Sequence, residues 1–103
     1  MKLRMLTAAS DEMTEAARWY EERVEGLGKR FLSEVRATVA YIRSRPEEPA
    51  VVSKYSPWRV RSRRVKRFPY AIIYELREKE CVVVAVAHSS RRPGYWRSRR
   101  DSR

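Results

Sequence analysis

Residues 70–88 read YAIIYELREKECVVVAVAH. Positions 70 to 77 and 81 to 88 are rich in β-branched and aromatic side chains, which suit a pleated, packed surface, and Glu78, Lys79 and Glu80 separate the two runs. The pattern predicts a hairpin of two inner strands. Their near-continuous apolar character predicts cover on both faces. The fold therefore turns on what the rest of the chain can lay against this hairpin.

Upstream, the period changes from two to between three and four. Met13, Ala16, Ala17, Tyr20 and Val24 recur at steps of three and four, one face of an amphipathic helix. Ser10, followed by Asp11 and Glu12, is the expected start, because a hydroxyl caps free N–H groups and acids favour the positive end of the helix dipole. Gly26 and Gly28 are expected to end it. A second helix is expected from near Lys29, with Phe31, Val35, Val39 and Ile42 on one face, until Pro46 stops it. So short a link predicts an antiparallel helical hairpin. Before both, residues 2 to 6, KLRML, alternate and read as a short strand whose pairing the pattern leaves open. Between helices and hairpin, WRVRSRR (58–64) sets Val60 and Ser62 against Arg59, Arg61 and Arg63, a strand with one face nearly all arginine. The expected class is α+β, in the order β-α-α-β-β-β. The helical hairpin packs on one face of a small, mainly antiparallel sheet, and a partner is a candidate cover for the other.

At 103 residues, 43% of them apolar, the chain fits one domain with a modest core. The expected domain spans 1–96, with 97–103 a loose basic extension that lacks apolar anchors. One cysteine, Cys81, cannot close an internal disulfide, and one cysteine with one histidine cannot make a Cys/His zinc site. No cofactor or metal is expected. The start lacks an apolar run of signal-peptide length and no segment nears the roughly 20 residues that span a bilayer, so a soluble, cytoplasmic protein without membrane contact is expected.

Charge is polarised. Residues 1–50 hold nine basic and nine acidic side chains, whereas 51–103 hold fifteen and four, which accounts for the whole net +11. Arg59, Arg61, Arg63, Arg64, Lys66 and Arg67 put six cations into nine positions with no acid among them. Like charges on a strand repel, so the stripe points to a polyanion or an acidic protein partner. The competing reading is a solvated edge strand that charge protects from aggregation. Trp19 and Trp58 read as core or hairpin packing without chemistry.

Four stretches carry a resemblance: EAARWYEE (15–22), GLGKRFLSEV (26–35), RFPYAIIYEL (67–76) and VVAVAHSSRRPGYWRSR (83–99). In this order they resemble the RelE/ParE superfamily of type II toxin–antitoxin toxins, in the branch called plasmid stabilisation proteins. The resemblance implies the fold derived above. It also implies a toxin that arrests growth when free and is neutralised by a cognate antitoxin, acidic where it touches, with toxin–antitoxin hetero-oligomers as the expected assembly. Two family activities follow from it: RelE-like members cut mRNA on the ribosome without a metal, and ParE-like members block DNA gyrase and cut nothing.

Metal-free RNA cleavage needs a base for the 2′-hydroxyl, cations for the phosphate charge and an acid for the leaving oxygen. His88, Arg91, Arg92 and Tyr95 are the candidates, with arginine suited to the clamp by its planar fork. Each has a plainer reading: His88 as a strand-end hydrogen-bonding residue, the two arginines as solvated, and Tyr95 and Trp96 as cover for an open sheet face. Trp96 and the six-cation stripe are the candidate target or antitoxin contacts. Ribonuclease members commonly carry an arginine just after the position matched by Tyr70, where this chain has Ala71. Ala71 favours gyrase-type inhibition, and the His-Arg-Tyr group favours RNA. A small, non-toxic nucleic-acid-binding module, driven by phosphate contacts, is the alternative of a different class.

Overall fold

The 3.6-residue periods and the apolar hairpin are realised in a computed structural model that describes residues 1–49, 51–53 and 59–101. Among these the chain runs β1 (Lys2–Met5), α1 (Thr7–Arg23), α2 (Leu27–Ser44), β2 (Val51–Ser53), β3 (Arg59–Arg64), β4 (Tyr70–Arg77), β5 (Glu80–His88) and a 3-10 helix over Arg97–Asp101. The expected succession is present, with β2 as an addition. Trp58 lies outside the described residues.

The described strands form one sheet in the order β1-β5-β4-β3-β2. β1 pairs parallel with β5, Lys2 opposite Glu80 and Met5 opposite Val83. The other neighbours are antiparallel. Opposite β4, Ile73 faces Ala85 and Tyr74 faces Val83, so Val84 is an extra residue that bulges β5.

α1 begins three residues before the expected Ser10, and Leu6 is its N-cap. Strand pairing overrides the capping preference here. Leu6 stays extended because its N–H donates to the carbonyl of Val83 at 2.9 Å, while its own carbonyl accepts the N–H of Ser10 at 3.0 Å. α1 ends at Arg23, so Val24 leaves the apolar face on which it was expected and is 56% exposed. Gly26 then turns the chain at φ +86°, and α2 starts two residues ahead of Lys29. Gly28 sits inside α2 rather than ending α1, buried where the helices cross. The Glu21 carboxylate accepts the N–H groups of Gly26 at 2.8 Å and Gly28 at 2.9 Å, capping α2 from α1. Those bonds, the one from Gly26 foremost, hold its carboxyl pKa on the low side of the usual carboxylate range.

The helices cover one sheet face. Phe31, Val35, Ile42, Ile72, Tyr74, Cys81, Val83 and Val86 pack there with Ala9, Ala16 and Ala17. The second face is closed by the chain's own ends: Val60, Ile73, Val82, Val84 and Ala85 pack with Leu6 and Trp96, and Tyr95 lies beside them. Glu75 is fully buried, and the Arg77 guanidinium donates to it at 3.1 Å.

Candidate functional site

Beyond His88 the chain reverses in a run of short turns, with Arg91 N–H donating to His88 C=O, Tyr95 to Arg92 and Arg97 to Gly94. Gly94 has φ +78°, a conformation costly for a residue with a Cβ, and it sends Tyr95 back toward α1. Trp96 is 7% exposed and anchors the segment in the second core. Of the two readings of Trp96, partner contact or cover for an open sheet face, its burial on the face opposite the helices matches the second. Residues 97–101 likewise depart from the expected loose extension: they form the 3-10 helix, and Arg99 is held in place.

Glu12 holds it. Its carboxylate accepts the Tyr95 hydroxyl at 2.6 Å, both terminal nitrogens of Arg99 at 2.8 and 3.1 Å, and the backbone N–H of Val86 at 3.0 Å. Burial, then the bond to Glu12, pushes the Tyr95 phenol well above the usual tyrosine range. Arg99, bonded to Glu12, is pushed up as well. The phenol therefore keeps its proton and spends it on Glu12. The Arg91 guanidinium sits over the Tyr95 ring, 3.8 Å from its centre.

His88 lies on the helix-facing side of β5, opposite Tyr70, whose ring meets its imidazole edge to face at 5.0 Å. The Ser90 N–H donates to His88 Nδ1 at 3.0 Å, and the Ser90 hydroxyl lies 2.8 Å from the same nitrogen. A cavity of about 590 Å³ opens here between α1 and the end of β5, lined by Trp19, Tyr70, His88, Ser90 and Arg91 among others. Trp19, expected in core or hairpin packing, is 51% exposed at its edge and carries the Arg23 guanidinium 3.5 Å from its ring centre. Of the four candidate catalytic residues, His88 and Arg91 share this cavity. Arg92 is exposed away from its lining, and Tyr95 is tied to Glu12. Ala71 pairs with Ala87 on the opposite face from the Tyr70–His88 pair.

The basic stripe is divided. Arg59, Arg61 and Arg63 do share a face, as the alternation predicts, but register puts it on the side of Ile72, Tyr74 and Leu76, toward the helices. There the Arg61 guanidinium donates to the carbonyls of Glu47 at 3.1 Å and Pro49 at 2.6 Å, just past the negative end of α2. Arg63 stacks 3.6 Å over Tyr41 and pairs with Glu48 at 3.5 Å. Arg67, at φ +69° and 81% exposed at its side chain, reaches Glu34 at 2.8 Å. Arg59, Arg64 and Lys66 are exposed.

Sequence reasoning passed over Glu12 as a site residue. No local signal marks it, because its partners lie 74 to 87 positions away. Among the described residues no helix is long and apolar enough to cross a membrane, and no group of three or more His, Cys, Asp or Glu is placed to hold a metal.

The family model for the ParE toxin of the type II toxin–antitoxin system, parDE, matches residues 3–93. A chain of the solved chromosomal ParDE toxin–antitoxin system from P. aeruginosa has the same fold, at a TM-score of 0.67 and 16% identity, covering 85% of this chain and 95% of that one. No curated protein sequence matches.

Proposed function

The chain belongs to the ParE toxin family of type II toxin–antitoxin systems, and from that premise we propose that it arrests growth by binding its target, DNA gyrase, without cutting RNA. The observation that carries this reading is the Tyr95–Glu12 bond at 2.6 Å. A phenol whose proton is committed to a carboxylate, and whose acidity is suppressed, is a poor acid for a leaving oxygen. The clamp is also incomplete. Ala71 offers no cation, and its side of the sheet is not the side on which His88 lies. A binding toxin needs none of this convergence, only an exposed, shaped and charged surface.

Arg91 and Arg92 on the C-terminal segment, with Arg59, Arg64 and Lys66 beside the sheet, form the surface proposed to meet the target. A cognate antitoxin competes for it with an acidic segment, as an amphipathic helix or an added strand, and holds the toxin in a hetero-oligomer in the cytoplasm.

Expression without the antitoxin should stop growth. The purified chain should block supercoiling by gyrase, and co-expressed antitoxin should relieve both effects. Fresh mRNA ends on ribosomes, with supercoiling untouched, would transfer the assignment to the RelE-like activity. Normal growth at high expression, with salt-sensitive nucleic-acid binding of about one log–log unit per phosphate neutralised, would favour the non-toxic binding module.

A further inference from the structure

We propose that Glu12 is a positioning residue of the toxin, which fixes the C-terminal segment over the bare edge of β5 and, through Tyr95, aims the Arg91 guanidinium at the target. The inference rests on the target-binding reading above.

β1 stops pairing at Met5 opposite Val83, and Leu6 makes the last bond to that strand before the chain turns into α1. From Val84 onward the outer edge of β5 has no strand beside it among the described residues. Side chains take the strand's place. Glu12 accepts the Val86 N–H at 3.0 Å, and Arg99, held by Glu12, donates to the Val84 carbonyl at 3.4 Å. The donors on the carboxylate come from the β5 backbone and the C-terminal segment, so Glu12 is where α1, the sheet edge and the segment are joined.

The chemistry of the joint is specific. Each oxygen of Glu12 receives two donors: Val86 N–H and one Arg99 nitrogen on Oε1, the Tyr95 hydroxyl and the other Arg99 nitrogen on Oε2. A carboxylate is acceptor-only and satisfies all four. Glutamine would turn an NH₂ toward a pair of donors, and aspartate is a methylene short.

Trp96 already fixes the segment to the second face by burial. What Glu12 adds is direction. The hydroxyl held at 2.6 Å fixes the Tyr95 ring, and the Arg91 guanidinium sits over that ring, 3.8 Å from its centre, while lining the cavity with His88, Tyr70 and Trp19. Arg92, its neighbour in sequence, is exposed and outside that lining.

The test is a double-mutant cycle on the purified full chain, comparing Glu12→Gln, Arg91→Ala and the pair, read by gyrase inhibition and by amide hydrogen exchange. Glu12→Gln should stay cooperatively folded, with β4 amides exchanging as in the wild type, while Val86 and residues 91–99 exchange about tenfold faster. The inhibitory concentration should rise about tenfold for each single variant, and the double should be no worse than Arg91→Ala alone, because both remove the same aimed guanidinium. Wild-type exchange over 91–99 in Glu12→Gln, or losses that multiply in the double variant, would overturn the proposal. Should Glu12→Gln not fold, Tyr95→Phe, which keeps the ring and removes only the hydroxyl, replaces it in the cycle: the inhibitory concentration should rise and the double with Arg91→Ala should be no worse than Arg91→Ala alone, while Val86 and Arg99, still bonded to Glu12, keep their wild-type protection, and losses that multiply in the double would overturn the proposal. If the wild-type chain leaves gyrase untouched, the target reading fails by itself, and the exchange result still decides whether Glu12 holds the segment.

Discussion

A Cβ built on Gly28 would stand 2.5 Å from the carbonyl oxygen of Ala17, so the α1–α2 crossing closes to a distance that only glycine permits. Its neighbour in that gap is backbone, which cannot rotate away. Gly28→Ala should therefore destabilise the fold by about 1–3 kcal/mol despite the helix propensity that alanine adds. Thermal unfolding should show Tm lowered by about 4–8 °C per kcal/mol lost. An unchanged Tm would mean that the helices separate at no cost.

The Glu21 cap on α2 makes a pH signature. Its folded pKa is depressed, chiefly by the Gly26 N–H, so its contribution is present above the unfolded carboxylate value and is lost as pH falls through the folded one. Glu21→Gln should have a lower Tm than the wild type at pH 7, and the two curves should converge below about pH 4. Parallel curves across that range would remove the cap from the account.

Tyr74 gives the opposite sign at the alkaline end. Its hydroxyl donates to the Pro46 carbonyl at 2.7 Å, and burial pushes the phenol to about 12. A raised folded value keeps its stabilisation below the unfolded tyrosine value near 10 and loses it as pH climbs through 12. Ultraviolet titration should show a tyrosine that ionises only with unfolding. Tyr74→Phe should shrink that late step by one tyrosine, with Tyr95 still ionising late, and cost about 1 kcal/mol through the unpaired Pro46 carbonyl.

Cys81 should be inert in the native state. It is fully buried, and that burial raises its thiol to about 11. A thiol reagent at pH 8 should label it at the rate of unfolding, whatever the reagent concentration. Labelling first order in reagent would show a route to the thiol that the packing does not provide.

The arginines of β3 should separate by role. Arg61→Ala removes the donor that serves two carbonyls beyond α2 and should cost about 1–3 kcal/mol of stability. Arg64→Ala, at an exposed position, should leave stability within about 0.5 kcal/mol and weaken target or antitoxin binding instead. Equal destabilisation by both would contradict the division of the stripe.

Much of the fold was legible because its signals are local. The β-branched runs of 70–88 and the 3.6-period faces through Phe31, Val35 and Ile42 depend on near neighbours along the chain, and each element formed within a few residues of its expected place. Capping was less legible: Ser10 has the right chemistry, yet Leu6 starts α1 because a bond to Val83 fixes it. Trp19 shows the limit of composition, since a large aromatic at an amphipathic boundary can face a cavity as readily as a core.

The sequence by itself determined the α+β class, the order of elements and the basic second half, because periodicity and charge are properties of neighbouring residues. Tertiary structure alone decided that β1 lies parallel beside β5, that Arg61 and Arg63 turn toward α2, and that the Tyr95 hydroxyl donates a hydrogen bond to Glu12. These are contacts between side chains far apart in the chain, created by packing, and no spacing in the sequence encodes a distance across 83 residues.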